Sequence, residues 1–214
     1  MINKEQIANE LLKIKAVFLR PDEPFTWASG IKSPIYCDNR LIISHPTTRE
    51  IIEIALSELI EKKFSKVAAV VGTSTAGIPH AAYVSTILNL PMAYVRGKSK
   101  DHGRQNNIEG DLQEGMKVVV IEDLLSTGKS CLECVEILRA QNIEVLGVVS
   151  IFTYHMKLCD QNFQKAKCVK HSIMDLDTLL EIAYKSETIT AGERKQILCF
   201  RDDPTNDKWM NSKI

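Results

Sequence analysis

Apolar positions along the chain follow two spacings. Over residues 4–19 they recur at helical period, with Ile7, Leu11, Ile14 and Phe18 on one face, which predicts an amphipathic helix. FTWASGIKSPIYCDNR (25–40) reads as two short extended pieces around Gly30 and Pro34. HPTTREIIEIALSELIEKKF (45–64) reads as a helix, with Thr47 and Glu50 at capping-box spacing. Apolar runs then alternate with helical stretches. KVAAVVG (66–72), PMAYV (91–95), KVVVIED (117–123) and EVLGVVSIFTY (144–154) predict strands, and KCVKHSI (167–173) a short one. AGIPHAAYVSTIL (76–88) and STGKSCLECVEILRAQ (126–141) predict helices between them, and further helices start at Leu176 and Ala191, the latter with a Thr190–Glu193 capping box.

The strands are continuously apolar rather than alternating, so both of their faces must be covered. That predicts an α/β fold with a central, mostly parallel sheet and helices on both faces. No repeat or linker divides the 214 residues, and the length suits a single domain over 1–214. With 27 basic and 27 acidic residues the formal net charge is zero, which gives no case for nucleic acid or an anionic membrane as partner. MINKEQIANELLKIK lacks the apolar core of a signal peptide, and no apolar run is long enough to span a bilayer. Six cysteines in such a chain imply reduced thiols and a cytoplasmic location. Cys131 and Cys134, with His155 and Cys159, have the residue types of a zinc set. Their place on one face of a helix reads instead as small core residues.

In open α/β sheets ligands bind at the carboxyl ends of strands. Three such ends are polar and rich in small residues: VVGTSTAG (70–77), YVRGKSKDHG (94–103) and VVIEDLLSTGKS (119–130). The last ends like a nucleoside-triphosphate P-loop, but the first glycine of that pattern would fall at 123, which is Asp. A carboxylate there would repel the phosphates, so the triphosphate reading fails. Ser126, Thr127, Gly128 and Ser130 still offer amides and hydroxyls for one phosphate at a helix start, and Glu122 and Asp123 can accept hydrogen bonds from a vicinal diol. Together they describe a ribose 5-phosphate site. GTSTAG could present amides to an anion, though a plain strand-to-helix turn reads the same way. The long stretch 96–110 carries Arg96, Lys98, Lys100, His102 and Arg104, cations suited to a pyrophosphate leaving group.

VVVIEDLLSTGKS resembles the phosphoribosyl pyrophosphate (PRPP) signature of the type I phosphoribosyltransferases. KSKDHG and FTWASGIKSPIYCDNR resemble the mobile catalytic loop and N-terminal hood of that family's orotate branch. The resemblance runs from about residue 6 to about 200. It implies the type I phosphoribosyltransferase fold, with hood elements from about residues 1–45, and transfer of phosphoribose from PRPP to orotate, giving orotidine 5′-monophosphate and pyrophosphate in de novo pyrimidine (UMP) biosynthesis. It implies that Glu122 and Asp123 hold the ribose hydroxyls, that Ser126, Thr127, Gly128, Lys129 and Ser130 wrap the 5′-phosphate with Leu124 and Leu125 also in the PRPP site, and that Thr73, Ser74, Thr75 and Ala76 face the pyrophosphate. Lys100 and His102, with Arg96 and Lys98, would close over it, with Lys100, His102 and Asp123 the catalytic set. Ser126, Lys32, Tyr36, Arg40 and Thr153 would meet orotate. Mg2+ would be the cofactor, held mainly by substrate and water rather than by protein ligands, and a homodimer would share the loop across its interface. The chain has Ala28, Ala76 and Phe152–Thr153–Tyr154 where many relatives carry two lysines and an arginine, so the contact to orotate's carboxylate passes to Lys32, Arg40 or hood amides. A purine-type transferase would lack the loop and hood, and a PRPP-sensing regulator on the same fold would carry an added binding module.

Overall fold

A computed structural model describes residues 3–26, 30–97 and 107–211. The N-terminal elements are α1 (Lys4–Lys13), β1 (Val17–Leu19), β2 (Phe25–Thr26), β3 (Lys32–Ser33) and β4 (Ile35–Cys37), followed by a 3-10 turn over Asn39–Ser44. The sheet domain continues with α2 (Pro46–Lys63), β5 (Ala69–Thr73), α3 (Gly77–Leu88), β6 (Met92–Val95), β7 (Ile108–Glu109), β8 (Lys117–Leu125), α4 (Lys129–Ala140), β9 (Glu144–Thr153), α5 (Lys157–Lys165), β10 (Lys170–Asp175), α6 (Leu176–Lys185) and α7 (Ala191–Asp202).

Six strands form the central sheet in the order β10-β9-β8-β5-β6-β7. All neighbours pair in parallel except β7, which runs antiparallel to β6 at the edge. Helices cover both faces, and this is the parallel α/β architecture that the apolar runs predict. Val118, Val119, Val120 and Ile121 of β8 are fully buried at the sheet's centre, where apolar side chains are needed on both faces. From β5 the chain winds outward to β6, and from β8 it winds the opposite way to β9 and β10. The order therefore reverses between β5 and β8, and a crevice forms at their carboxyl ends.

Four sequence expectations are corrected. The helix predicted for 4–19 ends at Lys13, because Lys15 turns the chain through φ 58° and the Ala16 amide bonds back to the Leu11 carbonyl at 2.9 Å. Phe18, which continues the helical spacing, instead lies in β1 opposite Tyr36 of β4 and packs edge-on against Phe25. α2 begins at Pro46 with no side-chain cap, so Thr47 and Glu50 form no capping box; proline's fixed φ and missing N–H suit the first helical position. The Thr190–Glu193 box is formed. The loop expected over 96–110 is closed at its base, since β7 pairs with β6 and the Arg96 amide donates to the Asn107 carbonyl at 2.8 Å. α5, over a stretch the pattern left unassigned, packs against α4 and carries buried Cys159 and Phe163.

Candidate active site

The crevice is built from β8, β5 and the loops that follow them. β8 pairs with β5 as far as Gly72 opposite Ile121, and its last residues run on beside β9 to Leu125 opposite Thr153. This overhang carries the two acids. They are adjacent in sequence but not in surroundings. Glu122 is buried, and its Oε1 accepts the Asp123 amide at 3.0 Å. Burial, reinforced by Asp123, pushes its carboxyl up to about 8. Asp123 is half-buried at the crevice, and its main-chain carbonyl accepts from Asn39 Nδ2 at 2.7 Å.

After β8 the chain passes through Ser126 and Thr127 to Gly128, which holds φ +73° as the N-cap of α4. A Cβ there would stand 2.5 Å from the Phe163 ring, so only glycine fits this close approach. Asn162 of α5 donates to the Thr127 carbonyl at 2.9 Å and braces the loop from behind. Lys129 and Ser130 are exposed, and no side chain caps α4. Its first-turn amides therefore face outward, the arrangement that binds a phosphate.

Beside it, β5 ends in a turn through Thr73, Ser74, Thr75 and Ala76 to α3. Thr73 is buried and its hydroxyl donates to the Ile121 carbonyl at 3.2 Å, tying the turn to β8. The Ser74 hydroxyl bonds to the Val95 carbonyl, and the Ser74–Thr75 peptide is cis. Ser74 and Thr75 are exposed and Ala76 half-buried, and no side chain caps α3. A Cβ on Gly77 would collide with the Ile121 carbonyl, so glycine lets this turn lie directly against β8. Behind it, buried His80 of α3 meets buried Glu53 of α2 at 2.6 Å, a strut that no local sequence spacing reveals.

Other expected site residues fall as follows. Arg96 lies at the end of β6, 3.2 Å from Glu109. Lys98, Lys100 and His102, like Ala28, lie outside the described residues. In the hood, Lys32 Nζ donates to the Thr26 hydroxyl at 2.6 Å, Tyr36 is partly exposed against Phe25, and Arg40 grips both oxygens of Asp38 at 2.6 and 2.8 Å. Thr153 is buried, with its hydroxyl on the Leu125 carbonyl and accepting the His155 amide, so it supports the strand end from within. Cys131, Cys134 and Cys159 are buried thiols, whereas His155 turns to Asp177 at 3.2 Å. His155, Asp175 and Asp177 bring possible ligand atoms within 4.8 Å of one another. Lys4 on Asp175 and Arg201 on both oxygens of Asp177 already balance these acids, which makes a further cation unfavourable there. Of the two crevice acids only half-buried Asp123 could meet a cation, since Glu122 is turned inward; one carboxylate suits Mg2+, a hard cation that otherwise keeps water and substrate oxygens.

Residues 42–181 match the phosphoribosyl transferase domain model. The chain is 50% identical over 209 residues to an orotate phosphoribosyltransferase of Bacillus mycoides (strain KBAB4), covering 98% of this chain and 100% of that protein. Among solved structures it resembles orotate phosphoribosyltransferase from Aeropyrum pernix, with TM-score 0.75, 28% identity, and coverage of 86% of this chain and 99% of that one. It also resembles Leishmania donovani UMP synthase, with TM-score 0.79 and 27% identity over 92% of this chain, and spans 42% of that longer protein.

Proposed function

The chain belongs to the phosphoribosyl transferase domain family and, within it, to the orotate phosphoribosyltransferases, and from that premise we propose how its residues share the reaction. The chain transfers the 5-phosphoribosyl group of PRPP to orotate, giving orotidine 5′-monophosphate and pyrophosphate in pyrimidine biosynthesis. The observation that carries the reading is the meeting of the acid pair, the Gly128 loop and the Thr73–Ala76 turn at the point where strand order reverses.

Asp123 accepts from the ribose hydroxyls, and buried Glu122 holds the Asp123 amide beneath it. The amides and hydroxyls from Ser126 to Ser130 bind the 5′-phosphate, and the turn from Thr73 to Ala76 faces the pyrophosphate. Anomeric carbon, nitrogen nucleophile and leaving group are then in line. The ring nitrogen of orotate bonds to the anomeric carbon as the C–O bond to pyrophosphate breaks; the electron pair of that bond leaves with pyrophosphate, and the proton of the ring N–H passes to a pyrophosphate oxygen. Catalysis is positioning and charge stabilisation, with Lys100 and His102 completing the positive side. Lys32 is the better partner for orotate's carboxylate, since its ammonium meets only a neutral hydroxyl while Arg40 is already neutralised by Asp38. Mg2+ would be held mainly by PRPP oxygens and water with Asp123 beside it, and would supply charge neutralisation at the pyrophosphate, while Asp123 orients the ribose hydroxyls. The enzyme works as a homodimer, each loop serving its partner's site, in the cytoplasm. Six free thiols support that compartment, and no helix among the described residues is long and apolar enough to cross a membrane.

The test is a panel of bases. With PRPP and magnesium, orotate absorbance should fall, while adenine, hypoxanthine and uracil remain. Consumption of a purine instead of orotate would overturn the assignment.

A further inference from the structure

Asp123 stands where the β5 ladder has stopped, so its main chain lacks the partner strand that residues up to Ile121 have on that side. Two side chains take the place of that strand. Glu122 accepts the Asp123 N–H, and Asn39 donates to the Asp123 carbonyl. Asn39 is fully buried, an unusual site for an asparagine. The orientation of its amide follows from chemistry: a carbonyl can only accept, so nitrogen must face Asp123, and the Cys37 thiol approaches the remaining Oδ1 at 3.5 Å. Asn39 lies 84 residues from Asp123, directly after the hood strand β4, at the start of the 3-10 turn that packs on β8.

We propose that Asn39 is a positioning residue for sugar binding: by fixing the Asp123 peptide it aims the Asp123 carboxylate into the crevice and makes correct seating of the hood a condition for holding PRPP. The proposal rests on the transferase reading above. It ties the base-binding side of the molecule to its sugar-binding side through one buried hydrogen bond. Without the amide, the part-buried Asp123 carbonyl loses its partner, and on that side of β8 only the Glu122 contact to the Asp123 N–H remains to fix the peptide.

A double-mutant cycle tests this. PRPP affinity is measured by calorimetry with magnesium for wild type, Asn39→Leu, Asp123→Asn and the double variant, alongside melting temperature and the KM and kcat for both substrates. Asn39→Leu is expected to weaken PRPP binding roughly ten- to hundredfold, the loss that follows removal of one partner of a buried polar group. In the Asp123→Asn background the same change should cost under about threefold, because the group that it aims has already lost its charge. If Asn39→Leu does not fold, Asn39→Ser, which keeps a donor and leaves room for water, is measured in the same cycle and should show the same non-additivity. Equal losses in both backgrounds, or lowered melting with unchanged PRPP affinity, would overturn the proposal alone. Wild type that binds no PRPP would overturn the transferase reading and this inference with it.

Discussion

Glu122 and Asp123 show how far two identical charges can be separated by their surroundings. Glu122 is raised from the ordinary 4.5 to about 8, chiefly by burial and then by Asp123. The sign of its effect on stability follows from proton counting. Below 4.5 the group is neutral in folded and unfolded chains alike and makes no difference. Between 4.5 and about 8 the unfolded chain releases the proton and the folded chain keeps it, so stability falls as pH rises; above about 8 the whole cost is in place. Wild type is expected to lose melting temperature between about pH 5 and about pH 9, and Glu122→Gln should flatten that decline. Equal slopes in the two proteins would show that Glu122 does not carry this proton. The sequence makes the pair legible, because two acids at the end of a buried strand are conspicuous. It does not reveal which acid turns inward, since that depends on β5 ending at Thr73 and on Asn39 arriving from the hood.

Helix starts decide the site at the scale of elements. α3 and α4 both begin without a side-chain cap, and each begins at a glycine pressed against a neighbour. Gly128→Ala should cost about 1–2 kcal/mol from the left-handed backbone alone, and more as Phe163 is displaced. Denaturant titration should show that loss together with weaker PRPP binding, because the phosphate loop and the α4–α5 packing share this residue. Unchanged stability would contradict the close approach. The strands that hold these helices were readable because their apolar runs have no rival interpretation. Boundaries were less so. Phe18 fits a helical period but serves β1, and Thr47 fits a cap that Pro46 pre-empts by starting α2 two residues earlier. The Gly128 turn was expected from its residue types, but the bracing by Asn162 and Phe163 comes from α5, a short and mostly polar helix that buries only Cys159 and Phe163.

As a whole molecule, the protein completes its site by bringing loops from separate strands, and a hood, to one sheet edge. In the homodimer proposed above, Lys100 serves the neighbour's crevice. Under that arrangement Lys100→Ala and Asp123→Asn fail in different halves of the same site. A hybrid dimer then has one doubly damaged site and one intact site. With free subunit exchange, about half of the dimers are hybrids, so mixing two nearly inactive variants should recover roughly a quarter of wild-type activity. Exchange without recovery would mean that the loop serves its own subunit. The central claim, that the crevice at Asp123 transfers phosphoribose to orotate, is tested most directly by counting both products of one reaction. With PRPP, orotate and magnesium, wild type should release one pyrophosphate for each orotate consumed, and Asp123→Asn should be about ten- to hundredfold slower at an unchanged melting temperature. Pyrophosphate release that is independent of orotate, or full activity in Asp123→Asn, would contradict it.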